Sequence, residues 1–268
     1  MWSNLGINMA VARCKFYVAD ALDKLRKIPV NSVDHCITDP PYNISGYDGK
    51  KEIGWLKTNS LWKDKKKFKK IDETWDSFTD EDYINFTESW IKELTRIVKL
   101  NGNIMIFGTF HNIYTIGYIL KLLQKKTIGS ITWYKRNAFP NITRRMLCES
   151  TEYIIWSVNN DVKHAKNWVF NYDVMKEMNG GKQMRNVWDI PMTKKTEKQF
   201  GKHPSQKPLE VCDRLILGMT KKNDVVIDPF AGSGTIPLSA KTHGRKYIAI
   251  EKNKSYAKIA KNRLDSVL

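Results

Sequence analysis

The segment Thr38-Asp39-Pro40-Pro41-Tyr42 carries residue types that can hold a planar amino group in place. It follows the apolar run 33–37, a predicted buried strand, and so leaves a strand at its carboxyl end, where open α/β sheets place ligands. Each proline fixes its own φ and keeps the residue before it extended. The Asp39 carboxylate and the backbone carbonyls therefore form a stiff array of acceptors, with the flat ring of Tyr42 beside them. The alternative interpretation is a rigid turn that carries no chemistry.

A second candidate site is the glycine-rich stretch 228–235, which lies between a predicted strand and a predicted helix. Its glycines allow a tight turn and close approach to a ligand, and Glu251, about twenty residues further on, can accept hydrogen bonds from ribose hydroxyls. A phosphate-binding Walker loop needs Gly-Lys-Ser/Thr, which does not follow Gly234, and a dinucleotide fingerprint needs a small residue where Pro237 stands. Asp228 would repel a pyrophosphate and attract an ammonium group. The loop therefore favours a cationic ligand without phosphate, such as S-adenosylmethionine.

Strands and helices alternate along the chain, which predicts an α/β fold. Apolar runs predict strands at residues 14–18, 33–38, 103–107, 128–134, 153–158, 224–227 and 247–250. Helical spacing of apolar residues predicts helices after Asp20, over 79–98, over 111–123, up to 219, over 235–243 and up to 264. Both candidate sites therefore follow strands.

Two stretches rich in positive charge interrupt this alternation. Residues 46–74 are a predicted mobile basic loop, for which an ordinary solvated surface is the alternative. The loop after residue 134 combines cations, amides and an aromatic ring, which suit contacts with DNA backbone and bases, although a plain surface loop would look similar. The predicted DNA-binding residues there are Lys135, Arg136, Asn137, Arg144 and Arg145.

Residues 159–202 show no clear periodicity and are rich in Lys and Asn, so we interpret them as a small subdomain rather than as part of the main sheet. This divides the chain into three parts. Residues 1–158 contain the first motif, residues 159–202 form the subdomain, and residues 203–268 contain the glycine-rich loop.

The chain carries a large excess of positive charge. Its 268 residues include 45 Lys and Arg against 28 Asp and Glu, which gives a formal net charge of +17 at pH 7. Neutralising phosphates releases counterions, so this charge favours a polyanionic partner such as nucleic acid. A lysine-rich proteome that merely solvates its surfaces would give the same excess.

The four cysteines, Cys14, Cys36, Cys148 and Cys212, show no paired spacing. We interpret them as reduced thiols of a cytosolic protein, with no zinc site and no disulfide framework. No apolar stretch has the length of a membrane span or the form of a signal peptide. We therefore expect a soluble cytoplasmic protein without a metal site.

Together, the motifs resemble those of the bacterial DNA amino-methyltransferases. The similar segments are Asp-Pro-Pro-Tyr at 39–42, His-Pro-Ser-Gln-Lys-Pro at 203–208 and Asp-Pro-Phe-Ala-Gly-Ser-Gly-Thr at 228–235. The catalytic motif precedes the cofactor loop, as in the circularly permuted β group of that family. The chain is most like the adenine-N6 members, because members acting on cytosine N4 more often carry Ser where Asp39 stands.

The resemblance implies a Rossmann-like methyltransferase fold that uses S-adenosylmethionine. Its sheet is mixed and seven-stranded with one antiparallel strand, helices cover both faces, and a target-recognition subdomain is inserted at 159–202. The implied catalytic residues are Asp39, Pro40, Pro41 and Tyr42. Asp39 and the Pro40 carbonyl would hold the target amino group, and Tyr42 would stack on the extruded base.

The resemblance also implies which residues bind the cofactor. These are Asp20, Ala21, Asp39, Ser205, Lys207, Asp228, Phe230, Ala231, Gly232, Ser233, Gly234, Thr235, Glu251 and Lys252. Among them, Asp20 would approach the adenine and Glu251 the ribose, while Ser205 and Lys207 would lie near the cofactor's carboxylate.

The expected activity is site-specific methylation of adenine N6 in double-stranded DNA, by base flipping and direct in-line transfer, within a restriction–modification system. Cytosine N4 is the alternative target. Methyltransferases of RNA or of protein glutamine share Pro-Pro-Tyr motifs but usually place the cofactor loop first, and a DNA-binding regulator that has lost catalysis is a further alternative. A homodimer and a cognate restriction endonuclease are implied only by analogy with the group.

Overall fold

A computed structural model describes residues 14–43, 78–141 and 144–267. Within these ranges the strands are β1 (Lys15–Val18), β2 (His35–Thr38), β3 (Asn103–Gly108), β4 (Lys126–Tyr134), β5 (Thr151–Val158), β6 (Val187–Asp189), β7 (Val225–Asp228) and β8 (Lys246–Glu251). The helices are α1 (Ala21–Leu25), α2 (Asp80–Ile97), α3 (Ile113–Leu122), α4 (Tyr172–Met178), α5 (Leu209–Met219), α6 (Thr235–Thr242) and α7 (Lys254–Asp265). The predicted basic loop at 46–74 lies outside the described residues.

The strands form one mixed sheet in the order β1-β8-β7-β2-β3-β5-β4-β6. Strand β5 is antiparallel to β3 and β4, and the other pairings are parallel, which confirms the predicted single antiparallel strand. Parallel strands end at the same edge of a sheet. The carboxyl ends of β1, β2, β7 and β8 therefore meet at one edge, and the first residues of antiparallel β5 lie at that edge too.

The predicted count of seven strands is wrong, because β6 adds an eighth within the described residues. This strand comes from the segment that we had placed outside the main sheet. β6 pairs parallel to β4, with Trp133 opposite Trp188. Without this pairing, the backbone N–H and C=O groups on that side of β4 would be left unpaired. Trp188 is buried, whereas Val187 and Asp189 are exposed. Three residues with one inward side chain are too short to show a strand periodicity, so the sequence pattern missed them.

Apolar side chains of the central strands alternate between two cores, one on each face of the sheet. Cys36, Ile104 and Ile106 pack with α2 and α3 on one face. Ile37, Met105 and Phe107 pack with α5 and α6 on the other. A strand buried on both faces has no polar alternation, which is why these strands read as continuous apolar runs. The prediction of helices on both faces is confirmed.

Gly234 starts α6 in a left-handed conformation with φ of 77°. A Cβ atom there would lie 2.8 Å from Ala260 Cβ on α7. Gly234→Ala therefore combines left-handed strain with overpacking, and we expect it to lower the free energy of unfolding by about 1–3 kcal/mol. Urea denaturation followed by circular dichroism measures the loss.

Two other glycines separate the two causes of this loss. Gly180 has φ of 64° but open space around its Cβ position, and Gly129 has open space without a positive φ. We expect Gly180→Ala to lower the free energy of unfolding by about 1 kcal/mol, through backbone strain alone. Gly129→Ala should not lower it measurably. If Gly234→Ala lost no more than Gly180→Ala, the contact with Ala260 would have no energetic weight.

Across the described ranges, no helix combines the length and the apolar character that a bilayer crossing requires.

Candidate active site

The two sequence motifs meet because β2 and β7 are neighbours in the sheet. Asp39 follows β2 and Asp228 ends β7, although the two residues are almost two hundred positions apart in the chain. The Thr38 hydroxyl donates a hydrogen bond of 2.8 Å to Asp228 Oδ1, which joins the two strand ends directly. The tyrosine of α2, Tyr83, donates a bond of 2.9 Å to the Pro41 carbonyl and so fixes the Pro-Pro segment from the other side.

A single cavity of about 640 Å³ opens between these strand ends. Every residue predicted above to be catalytic or to bind the cofactor lines this cavity, with the exception of Gly234. Gly234 faces α7 instead, so its contribution to the site is the shape of the loop. The two motifs therefore share one cleft.

Glu251 anchors the glycine-rich loop at one end of the cavity. Its Oε2 accepts a bond of 2.8 Å from the Gly232 N–H, and its Oε1 accepts one of 2.7 Å from the Asn253 N–H. Each carboxylate oxygen has a second lone pair, so Glu251 can still accept hydrogen bonds from a ligand. Burial raises the pKa of Glu251, and the backbone N–H groups act in the opposite direction.

Asp228 lies at the base of the cavity and is buried. Burial raises its pKa to about 8, against the hydrogen bonds from Thr38 and the Phe230 N–H, with further increases from the charges of Asp39 and Glu251. A cationic ligand would favour the ionised form of Asp228.

Asp39 is held by two neighbours. The Tyr42 hydroxyl donates a bond of 2.5 Å to its Oδ1, and the Lys207 ammonium donates one of 2.6 Å to its Oδ2. Burial raises the pKa of Asp39, while the charge of Lys207 lowers it and that of Glu152 raises it. Each oxygen retains a lone pair, so Asp39 can also accept N–H groups from a substrate.

Lys207 belongs to the catalytic end of the cavity. Its ammonium lies 2.6 Å from Asp39 and 3.4 Å from Glu152. Burial alone would lower the pKa of Lys207, but these two carboxylates hold it above its ordinary value. These partners are carboxylates of the protein, and contact of Lys207 with a cofactor carboxylate stays a prediction.

Tyr42 is buried, with 7% of its surface exposed, and the Lys207 ammonium lies 5.0 Å from its ring centroid. The Lys207 ammonium therefore already lies over this ring. The role of Tyr42 as a stacking platform stays a prediction.

His203 also lines the cavity, although it was not among the predicted site residues. Its ring packs against Tyr256, with centroids 4.2 Å apart. Burial and the nearby cations Lys207 and Arg263 lower its pKa to about 3. His203 is therefore neutral at physiological pH and acts in packing rather than as a charged group.

Phe230, predicted above to bind the cofactor, forms an aromatic wall of the cavity with Phe78 and Phe86, which were not predicted. Phe78 and Phe86 stack with centroids 5.0 Å apart, and Phe86 meets Phe230 edge-on at 5.9 Å. In the sequence, Phe86 fitted the apolar face of α2, which gave no sign that this face reaches the cavity. Such a wall suits a planar aromatic ligand group.

The charged groups of the cavity define the ligand that it fits. Among the residues that the structure describes, four acids line it: Asp20, Asp39, Asp228 and Glu251. Its two lysines are each paired with one of these acids, Lys207 with Asp39 at 2.6 Å and Lys252 with Asp20 at 3.2 Å. Asp20 also caps α1 by accepting a bond of 3.0 Å from the Leu22 N–H. Together with the aromatic wall, these acids suit a cationic ligand that carries hydroxyls and an aromatic ring.

The predicted DNA-binding residues occupy the loop between β4 and β5, at the same edge of the sheet as Asp39. Lys135 reaches inward to Glu152 at 3.2 Å and is only 12% exposed. Arg136 is exposed and bonds to Asp189 at 2.8 Å, and the Asn137 side chain accepts a bond of 2.8 Å from the Met192 N–H. Arg144 and Arg145 are exposed. Contact with DNA stays a prediction for all five residues.

Comparisons with known proteins agree with this geometry. Residues 33–262 match the family N6_N4_Mtase, described as DNA methylase. A type II methyltransferase of Lactococcus lactis subsp. cremoris, M2.LlaDCHI, is 42% identical over 249 residues, covering 92% of this chain and 87% of the relative. The type II methyltransferase M2.DpnII of Streptococcus pneumoniae is 39% identical over 250 residues, covering 92% and 88%. The crystal structure of the M1.HpyAVI–SAM complex matches with a TM-score of 0.66 and 26% identity, covering 94% of this chain and 99% of that one.

Proposed function

Because the chain belongs to the DNA methylase family, we propose that it transfers a methyl group from S-adenosylmethionine to the exocyclic N6 of adenine in double-stranded DNA. The observation that carries this proposal is the single cavity shared by Asp39-Pro40-Pro41-Tyr42 and the glycine-rich loop. One motif suits an amino group and the other suits a cationic nucleoside. Placing both in one cavity brings the nucleophile to the methyl donor.

The charges and the aromatic lining of the cavity suit S-adenosylmethionine. Glu251 would accept hydrogen bonds from its ribose hydroxyls, and the four acids of the cavity would face its positive charges. The loop 230–235 would surround its methionine part. When bound, it supplies a methyl group on a positively charged sulfur. The fixed dipoles and charges of this site are preorganised, so little reorganisation accompanies transfer.

Asp39 orients the nucleophile. The lone pair of an exocyclic amine is delocalised into its ring, and hydrogen bonds from the N–H groups to Asp39 and to the Pro40 carbonyl favour a more tetrahedral nitrogen. The lone pair is then directed at the methyl group, and positioning lowers the barrier without a covalent intermediate. The proton released from the methylated amine passes toward Asp39.

The target base must leave the duplex, which costs a few kcal/mol. Stacking on an aromatic side chain returns about 1–3 kcal/mol per base, so Tyr42 offsets part of this cost. Phosphate contacts from the exposed cations Arg144 and Arg145 supply more.

We propose adenine rather than cytosine because the first motif begins with Asp39, where members acting on cytosine N4 more often carry Ser. Both targets present an exocyclic amine, so the same mechanism applies to either. The proposed substrate is duplex DNA rather than RNA or protein, because the catalytic motif precedes the cofactor loop.

The test is radiolabelled methyl transfer from S-adenosylmethionine to duplex DNA, RNA and protein in parallel, followed by nucleoside analysis. We expect label in DNA as N6-methyladenine. Label as N4-methylcytosine would change the target base, label in RNA or protein would overturn the substrate, and no label anywhere would favour a DNA-binding regulator.

The wider setting follows from the relatives, which are named type II methyltransferases. We propose a cytoplasmic enzyme of a restriction–modification system that protects DNA from a cognate endonuclease. Homodimer formation is a further proposal by analogy with the β group, and sedimentation of the purified protein decides it.

We also propose a division of labour along the chain. Residues 203–268 hold the cofactor, which their contribution of Glu251 and the glycine-rich loop supports. Residues 159–202 read the target, which the bond between Asp189 and Arg136 of the neighbouring loop supports.

A further inference from the structure

Glu152 is a largely buried acid that no step described above uses. It lies near the start of β5, and because β5 is antiparallel, this start lies at the sheet edge where β2 ends. Its side chain is 14% exposed and does not line the cavity. A charge of this kind is rarely buried without a purpose, since taking it out of water is costly.

The contacts of Glu152 lead to both groups that hold Asp39. The Lys207 ammonium lies 2.6 Å from Asp39 and 3.4 Å from Glu152. The Tyr42 hydroxyl lies 2.5 Å from Asp39 and 3.3 Å from Glu152. On the side of the β4–β5 loop, the Lys135 ammonium lies 3.2 Å from Glu152. Two cations and two carboxylates thus alternate from the loop to the catalytic end of the cavity.

The Lys207 ammonium and the Tyr42 hydroxyl are therefore each shared between two carboxylates, those of Asp39 and Glu152. If Glu152 were neutral, both donors would turn fully toward Asp39 and occupy more of its acceptor capacity. Asp39 would then be a weaker acceptor for the N–H groups of a substrate. Glu152 acts on Asp39 only through these neighbours and through its charge, because it has no direct access to the cavity.

We propose that Glu152 is a positioning residue for methyl transfer, which holds Tyr42 and Lys207 so that Asp39 remains available to the target amine. This inference rests on the proposed function. The charge of Glu152 supports it independently, because it raises the pKa of Asp39.

The test is Glu152→Gln in the full-length protein, which keeps the shape of the side chain and removes its charge. We expect the single-turnover rate of methyl transfer to DNA to fall by about 10–100-fold, the effect of a small misplacement of a catalytic group. Affinity for S-adenosylmethionine should change far less than the rate, since Glu152 itself does not line the cavity. The acidic limb of the pH–rate profile, which follows ionisation of Asp39, should move to lower pH.

Glu149→Gln is the matched control, because Glu149 is an exposed acid three residues earlier that bonds to Thr151. We expect it to leave rate and pH profile unchanged. A wild-type rate for Glu152→Gln would overturn the inference, as would a slower rate whose pH limb has not moved. Wild-type protein without methyl transfer would instead overturn the proposed function.

A second variant keeps the test decisive if Glu152→Gln folds poorly. Glu152→Gln/Lys135→Met also removes the cation that Glu152 neutralises on the loop side, so the buried charge is again balanced. We expect this double variant to recover thermal stability but to keep the slow rate and the displaced pH limb. Recovery of the wild-type rate together with stability would show that Glu152 serves folding alone and would overturn the inference.

Discussion

Asp39→Asn should lower the single-turnover rate of methyl transfer to duplex DNA by about 10²–10³-fold or more, the loss seen when one preorganised group is removed from a transition state. The amide keeps the size of the side chain but loses the negative charge that the amine needs as its nitrogen becomes cationic. Binding of S-adenosylmethionine, measured by calorimetry, should change far less than the rate. Asparagine is preferable to alanine here, because it leaves no gap beside the buried Lys207.

The control for this prediction is Asp161→Asn. Asp161 follows the carboxyl end of β5 and therefore lies at the opposite edge of the sheet, where it pairs with His164 at 2.7 Å. We expect this variant to methylate DNA at the wild-type rate. If Asp39→Asn also did so, Asp39 would have no part in the mechanism, whatever its place in the cavity.

Lys207→Met should destabilise the folded protein by about 3–5 kcal/mol, the usual loss when one partner of a buried ion pair is removed. The ammonium is 5% exposed and is shared by Asp39 and Glu152, whose side chains are only 16% and 14% exposed. Without it, these neighbouring carboxylates would keep Lys135, beside Glu152, as their nearby cation. Methionine keeps the length and most of the volume of the side chain. Urea denaturation at several pH values measures the loss.

The pH dependence of this loss has a definite sign. Without Lys207, burial and mutual repulsion raise the folded-state pKa values of Asp39 and, less strongly because Lys135 still faces it, of Glu152. A carboxyl group with a raised folded-state pKa binds its proton more tightly in the folded protein than in the unfolded chain. The free energy of unfolding therefore falls as the pH rises from the unfolded pKa through the raised folded-state pKa. The deficit relative to wild type should therefore be larger at pH 8 than at pH 5.

Lys99→Met provides the comparison for an exposed pair. Lys99 lies 2.6 Å from Asp34, but its side chain is 51% exposed, so we expect a loss of about 0–1 kcal/mol. Equal losses for the two lysine variants would mean that solvent reaches the Lys207 pair in the folded protein.

Local sequence patterns were sufficient for the elements other than β6 and α4, and for most of the cavity. The apolar runs predicted every strand of the sheet except β6, and the proline and glycine motifs followed β2 and β7 as expected. These predictions succeed because strand formation and turn chemistry depend on neighbouring residues. Gly234 was predicted to bind the cofactor, but it faces Ala260 instead. A sequence motif shows where the chain turns, but it does not show which side of the turn faces the cavity.

Glu152 and Lys135 show where the sequence was not enough. A lone acid at the start of an apolar strand was a signal, but its meaning depends on the direction of β5, which brings that end to Asp39 only because the strand is antiparallel. Lys135 looked like one of several loop cations and proved to be the partner of Glu152. Which charges pair is decided by distances of a few ångströms, and sequence spacing does not report them.

The sequence by itself determined two chemical motifs, the strands that carry them and the excess of positive charge. Only the tertiary structure decided that β2 and β7 are neighbours, that the motifs share a cavity, and that Lys207 bridges Asp39 and Glu152. The physical reason is that backbone conformation is set locally, whereas strand order and ion pairing are set by packing between segments far apart in the chain.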